Sequence, residues 1–247
     1  MNQICLDQIV TSTVTDIPLH QSTSTMYALQ IPTSTIMFQE PTYGQKGQKM
    51  IDISFDQTSK AWSQRVIFQV CKNESEALRA PFGLSKPRDG EDTSKRSVEL
   101  ILENEDVITK IRGIDDHIKD YALKNSKALF RKELSASDIE NKYKSILKYR
   151  EPKEGREGYY YIMVKTKSAP EKPTPVKVIE KNSSREGTVD DMNYGCKVVP
   201  IIRLLFIWFM SDSFGVSPQA DRLLVFPGPK RSFLDDFILT KDYVMSS

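Results

Sequence analysis

The spacing of apolar residues changes twice along this chain. Residues 1–34 show no period: Ser, Thr and Gln dominate and apolar residues are scattered singly, which predicts an extended, flexible arm. Short alternating runs follow. "STIMFQ" (34–39), "MIDISF" (50–55), "RVIFQV" (65–70) and "SVELILEN" (97–104) read as strands separated by Gly, Pro and Asn clusters. In the second, Ile51 and Ile53 alternate with Asp52 and Ser54; in the last, Val98, Leu100 and Leu102 alternate with polar neighbours. The period then becomes helical. Val107, Ile108, Ile111, Ile114, Ile118, Tyr121 and Ala122 fall on one helix face, with Asn104 as its cap and Glu105 and Asp106 at its positive end. A second helix is predicted from Ser137, with Glu140 closing a capping box and Ile139, Tyr143, Ile146 and Leu147 as its apolar face.

After residue 150 the strands return as "YYYIMVKTK" (159–167), "PVKVIE" (175–180), an apolar run over 197–210 and "DRLLVF" (221–226). The polar segment 182–195 between them reads as a long mobile loop. Strands, a helical insert at about 104–149, then strands again is the order of a mainly β or α+β chain, not of repeated β-α units. A partly open OB-like antiparallel barrel fits it, with a β-sandwich carrying an inserted helical hairpin as the competing architecture. The organisation expected is an arm (1–34), a single β domain (35–226) and a C-terminal extension (227–247).

The oiliest stretch, "VVPIIRLLFIWFM", is a test of class. It has thirteen residues, Arg203 near its middle and Pro200 near its start, whereas a spanning helix needs about 20 apolar residues. Its β-branched and aromatic content predicts a central strand covered on both faces, which turns at Ser211–Ser213 into a strand begun by Phe214. Strict alternation would put Arg203 on a face with Ile201, Leu205, Ile207 and Phe209, so Arg203 must escape at a barrel mouth or find a partner. It is expected near a binding groove, and Trp208 in the core.

Composition narrows the function classes. In 247 residues, 39% are hydrophobic and 28% charged, as in an ordinary globular chain, and the net charge is only +2. Cys5, Cys71 and Cys196 are far apart, and with only His20 and His117 they form no metal-ligand spacing. A reducing, intracellular location is expected, with no signal peptide read at the N-terminus. No Gly-rich phosphate loop or nucleophile elbow occurs. Asp115 and Asp116 are adjacent on a helix and point apart; His117 reads as a half-packed helix residue, and Cys196 as a small buried hydrophobe. A non-enzymatic protein without a cofactor is the expectation.

Local charge is more informative than the total. Between Lys142 and Lys181 eleven Lys or Arg face five Glu, a surplus of six, and Tyr143, Tyr149, Tyr159, Tyr160 and Tyr161 lie among them. In 159–167, alternation puts Tyr159, Tyr161, Met163, Lys165 and Lys167 on one face and Tyr160, Ile162 and Val164 on the other. Rings and cations in one line suit a single-stranded nucleic acid, whose bases stack on the rings while ammonium groups follow the phosphates. The candidate binding residues are Tyr159, Tyr161, Lys165, Lys167, Lys148, Arg150 and Arg203.

Several segments in order, "APFGLSKP" (80–87), "SVELILEN", "NSKALF" (125–130), "YKSILKY" (143–149), "YYYIMVKTK" and "GCKVVPIIRLLFIWFMSDSFGV" (195–216), resemble a family of single-stranded-DNA-binding-like proteins of nucleocytoplasmic large DNA viruses. The resemblance spans roughly residues 80–226 and implies an OB-like core. It also implies a buried strand ending in Trp208 and Phe209, with Phe214, Gly215 and Val216 opening the next. The chain departs from the pattern at Leu129, where a tryptophan is expected, and at Pro218 and Asp221 after the Phe-Gly-Val. The implied role is sequence-independent binding of single-stranded DNA, or RNA, in DNA replication, recombination or repair. Self-association or contact with replication or virion proteins would go with it, in a viral replication compartment, nucleus or virion. The alternative is a structural virion or minor capsid and assembly protein, whose arms would drape over neighbours.

Overall fold

The computed structural model describes residues 26–45, 47–55, 65–86, 94–181 and 183–228. Most of the N-terminal arm, nearly all of the C-terminal extension, and Cys5 and His20 lie outside these. The N-terminal part runs through β1 (Met26–Tyr27), β2 (Met37–Phe38), β3 (Thr42–Tyr43), β4 (Lys49–Ser54), β5 (Val66–Gln69), β6 (Leu78–Ala80) and β7 (Lys95–Leu102). Three helices follow: α1 (Glu105–Lys124), α2 (Ser126–Phe130) and α3 (Ala136–Lys142). The rest is β8 (Tyr143–Lys144), β9 (Leu147–Arg150), β10 (Tyr159–Lys167), β11 (Val176–Glu180), β12 (Ser183–Gly187), β13 (Cys196–Leu204), β14 (Phe206–Phe209), β15 (Phe214–Val216) and β16 (Gln219–Phe226). The chain is mainly β with a helical insert, as the change of period predicts.

Two mixed sheets share one apolar core. The larger has the order β1-β5-β13-β16-β10-β7, with β6 also on β13, β9 also on β10, and the β11–β12 hairpin on β16. The smaller has the order β2-β4-β14-β15-β8, with β3 on β4. Among the described residues the sheets do not close into a barrel. The larger path ends at β7, and what reaches back to it from the turn after β6 is an isolated Leu84–Val98 bridge, beside which Ser85 N–H donates to the Ser97 carbonyl at 2.8 Å. The pairing is also not purely antiparallel, since β16 runs parallel to both β10 and β11.

Local sequence accounts for much of this. Asn104 Oδ1 accepts from the Asp106 and Val107 amides at 3.0 and 3.2 Å and starts α1, whose Val107, Ile108, Ile111, Ile114 and Ile118 are buried against the sheet. The cap of α3 lies two residues before the predicted one at Ser137. Ser135 caps it and Asp138, not Glu140, closes the capping box. The helix stops at Lys142, so Tyr143, Ile146 and Leu147 are buried from β8, β9 and the turn between them rather than from a helix face.

Residues 183–195 do not form the predicted loop. They hold β12 and a 3-10 turn (Val189–Asp191), tied by Arg185 to Asp191 at 2.6 Å, with Val189 and Met192 in the core. Met26 to Ile36 also differ from an arm: Met26 and Tyr27 pair with β5, and Ala28, Ile31 and Ile36 are buried.

The apolar run is a spine that bends. β13 pairs β6 through Cys196–Val198 and β5 through Ile201–Leu204, and Pro200, which has no N–H to give, sits in the interval between the two ladders. At Leu205 the chain leaves the larger sheet and becomes β14 of the smaller one, so a single alternation does not hold: Ile202 and Leu204 are buried, then Ile207. Trp208 is only partly covered and its Nε1–H donates to Ser217 Oγ at 3.1 Å. Phe209 and Phe214 stack with centroids 5.8 Å apart and Phe130 packs on both edge-on, so the ring beside Leu129 reaches the core. Among the described residues no helix is long and apolar enough to cross a membrane.

Candidate nucleic-acid interface

β10 organises the candidate face. Its Tyr160, Ile162 and Val164 pair in register with Leu102, Leu100 and Val98 of β7 on the core side, which leaves Tyr159, Tyr161, Met163, Lys165 and Lys167 on the other side. The neighbours across the ladders extend this second face. Arg150 of β9 stands opposite Tyr159, and Lys148 opposite Tyr161. Lys95 of β7 stands opposite Lys167 and Ser97 opposite Lys165. The register thus brings Lys148, Arg150, Tyr159, Tyr161, Lys165 and Lys167 together.

At the centre of this face lies a residue the sequence pattern places in solvent. Glu99 belongs to the polar set of β7, yet it is only 8% exposed. Its Oε1 accepts from Tyr159 OH at 2.8 Å and its Oε2 from Arg150 Nη2 at 2.5 Å. The Arg150 guanidinium lies 5.3 Å from the Tyr161 ring centroid, 5.4 Å from that of Phe82 and 5.8 Å from that of Tyr159. Phe82 is 53% exposed and enters from the turn after β6, where the next residue, Gly83, has φ +63 and a Cβ would lie 2.7 Å from the Met192 carbonyl oxygen. Tyr159 and Tyr161 meet edge to face at 6.1 Å. Three rings therefore surround one guanidinium that a buried carboxylate holds from below. The hydrogen bond to Glu99 keeps the Arg150 pKa above its ordinary value, and burial together with the same carboxylate raises that of Tyr159.

Cations flank the rings. Lys148 and Lys165 are exposed residues, yet the Lys165 ammonium is partly desolvated and faces the like charges of Lys95 and Lys148; both effects lower its pKa. Arg203 falls in the same cross-strand row as Lys165, with Gln219 of β16 between them, so it lies two strands away, roughly 10 Å. It has a partner. A register shift between Ile201 and Ile202 leaves Asp221 as the extra residue of β16, and Asp221 forms an ion pair with Arg203. Burial and the nearby charges of Arg65 and Arg222 lower the Arg203 pKa.

The other candidate groups are structural. Asp115 is 3% exposed on α1 and accepts from Tyr143 OH at 2.7 Å, the Ile146 and Leu147 amides at 3.0 and 3.1 Å, and Ser145 Oγ. Asp116 points away and pairs with Lys119 at 2.9 Å. His117 lies half-packed, with Nε2 2.9 Å from the Ile36 carbonyl oxygen and its ring stacked on Phe38. Cys71 and Cys196 are buried thiols whose pKa values burial pushes up to about 11. Among the described residues no group of His, Cys, Asp and Glu could hold a metal ion.

Glu99, Phe82 and Lys95 are the members of this face that the sequence does not announce. Only the polar position of Glu99 within an alternating strand is a signal, and it points the wrong way.

No family model and no curated protein matches the chain. Among solved structures it is similar to the single-stranded DNA-binding protein of bacteriophage Enc34. For a C-terminally truncated form, the identity is 15% and the TM-score 0.38, covering 78% of this chain and 95% of the other. For the other form, the values are 15% and 0.36, covering 81% and 98%. Similarity at this level assigns no function to this chain and does not point to the large-DNA-virus family specifically.

Proposed function

We propose that this protein binds single-stranded nucleic acid without sequence preference, DNA in the first place, and serves replication, recombination or repair. The observation that carries this reading is the open sheet face on which the rings of Tyr159, Tyr161 and Phe82 cluster beside Lys148 and Arg150, with Lys165, Lys167 and Lys95 further along the same face. Every base has a π-face, so such rings hold bases regardless of sequence, while ammonium groups track the phosphates and release counterions. The alternative of a structural virion protein has no observation of its own, because it rests on terminal arms that lie largely outside the described residues.

The test is a titration with labelled single-stranded DNA, duplex DNA and single-stranded RNA at two salt concentrations. Single strands should bind more tightly than duplex, and affinity should fall steeply as salt rises. Absence of binding to any single strand at the lower salt overturns the reading.

A further inference from the structure

The face described above carries five cationic side chains, Lys148, Arg150, Lys165, Lys167 and Lys95, but they are not equivalent. Lys148 and Lys165 stand on exposed residues. Arg150 is held by Glu99, a carboxylate only 8% exposed, and is surrounded by Phe82, Tyr159 and Tyr161 at 5.3 to 5.8 Å. A guanidinium whose charge is matched by a buried carboxylate gains little from a phosphate, because the phosphate must compete with a partner already desolvated and in place. What such a group retains is its flat, weakly hydrated surface, which stacks on rings in a way an ammonium does not. Glu99 also takes the Tyr159 hydroxyl at 2.8 Å, so the same carboxylate sets the angle of one ring and the place of the cation beside it.

We infer that Glu99 is a positioning residue that converts Arg150 from a phosphate ligand into part of the stacking surface, so that this face divides its work. Unpaired bases lie against Phe82, Tyr159, Tyr161 and the guanidinium plane, and the phosphates fall to Lys148, Lys165 and Lys167. This inference rests on the nucleic-acid-binding reading and adds a division that reading does not require. Its consequence is measurable, because counterion release counts only the cations that meet phosphates, at about 0.7 in the slope of log affinity against log salt for each contact to a single strand.

The experiment measures that slope with an oligothymidine for the full chain and four variants. Lys148→Ala should make the slope shallower by about 0.7. Arg150→Lys keeps the charge beside Glu99 but loses the plane; its slope should match the parent while affinity falls about 5-fold or more, at the lower end of a stacking loss. Glu99→Gln frees the Arg150 charge for phosphate; its slope should steepen by about 0.7 and affinity at low salt should rise. Glu99→Gln with Arg150→Met removes both charges, and its slope should return to the parental value. A Glu99→Gln slope equal to the parental one, or an Arg150→Lys variant that binds as tightly as the parent, overturns the division even if the protein binds DNA. Failure of the parent to bind oligothymidine at low salt overturns the function itself, a separate outcome.

Discussion

β9 is held at its two ends by two buried carboxylates from opposite sides of the sheet, and they do different things. Asp115 reaches from α1 to the Ile146 and Leu147 amides where β9 begins, and fills its remaining capacity with the Tyr143 and Ser145 hydroxyls. Glu99 reaches from β7 to Arg150 where β9 ends, and to Tyr159. Both accept from a tyrosine. Asp115 meets only neutral donors in an apolar setting, so it serves as a clamp that joins the helical insert to the strand. Glu99 meets a cation on the open side, so its bonds orient groups that remain accessible. The chemistry of the partner and the face of the sheet decide the role, not the burial of the carboxylate.

The sharpest way to break this contrast is Asp115→Ala. It strands two backbone amides and a tyrosine hydroxyl in the core, so stability should fall by about 3 kcal/mol or more, read from urea melts. Unchanged stability would mean that Asp115 is no clamp. The next effect belongs to the other face. Tyr159→Ala with Tyr161→Ala should lower single-strand affinity about 10-fold or more, at 1–3 kcal/mol per stacked base, while the urea midpoint moves far less than for Asp115→Ala. Equal losses of stability in the two variants would erase the distinction.

Phe82→Ala tests the same face from a turn and should cost about 5-fold in affinity, a single stacking contact at the low end of that range. The smallest effect is on pH. Burial outweighs the four hydrogen bonds and raises the Asp115 pKa, so the folded protein holds that proton more tightly than the unfolded chain does. The stability this contributes is fully present below the unfolded value of about 3.9 and is lost as pH rises through the raised folded value. Urea melts across that window should show the loss in the parent and not in Asp115→Asn.

Local pattern determined a good deal about this protein. Period-two alternation assigned Tyr159, Tyr161, Lys165 and Lys167 to one face of β10 and its core residues to the other, because side-chain direction in a strand depends only on position. The change of period located α1, and Asn104 its start. Length and Arg203 argued against a membrane helix for the apolar run. Errors arose where a short-range pattern had two solutions: Tyr143, Ile146 and Leu147 satisfy helical spacing but are buried from strands, and residues 183–187 read as loop but pair with β11.

What only the tertiary structure decided is which residues meet. Glu99 and Arg150 are 51 positions apart and join because β7 and β9 flank the same strand. Phe82 arrives beside them from the turn after β6, and Asp221 pairs with Arg203 through a register shift between β13 and β16. Strand order and register are set by the packing of the whole core, which no local spacing encodes. The sequence therefore named the tyrosines and lysines of the face, whereas the carboxylate that bonds Tyr159 and Arg150 emerged only once the sheet was assembled.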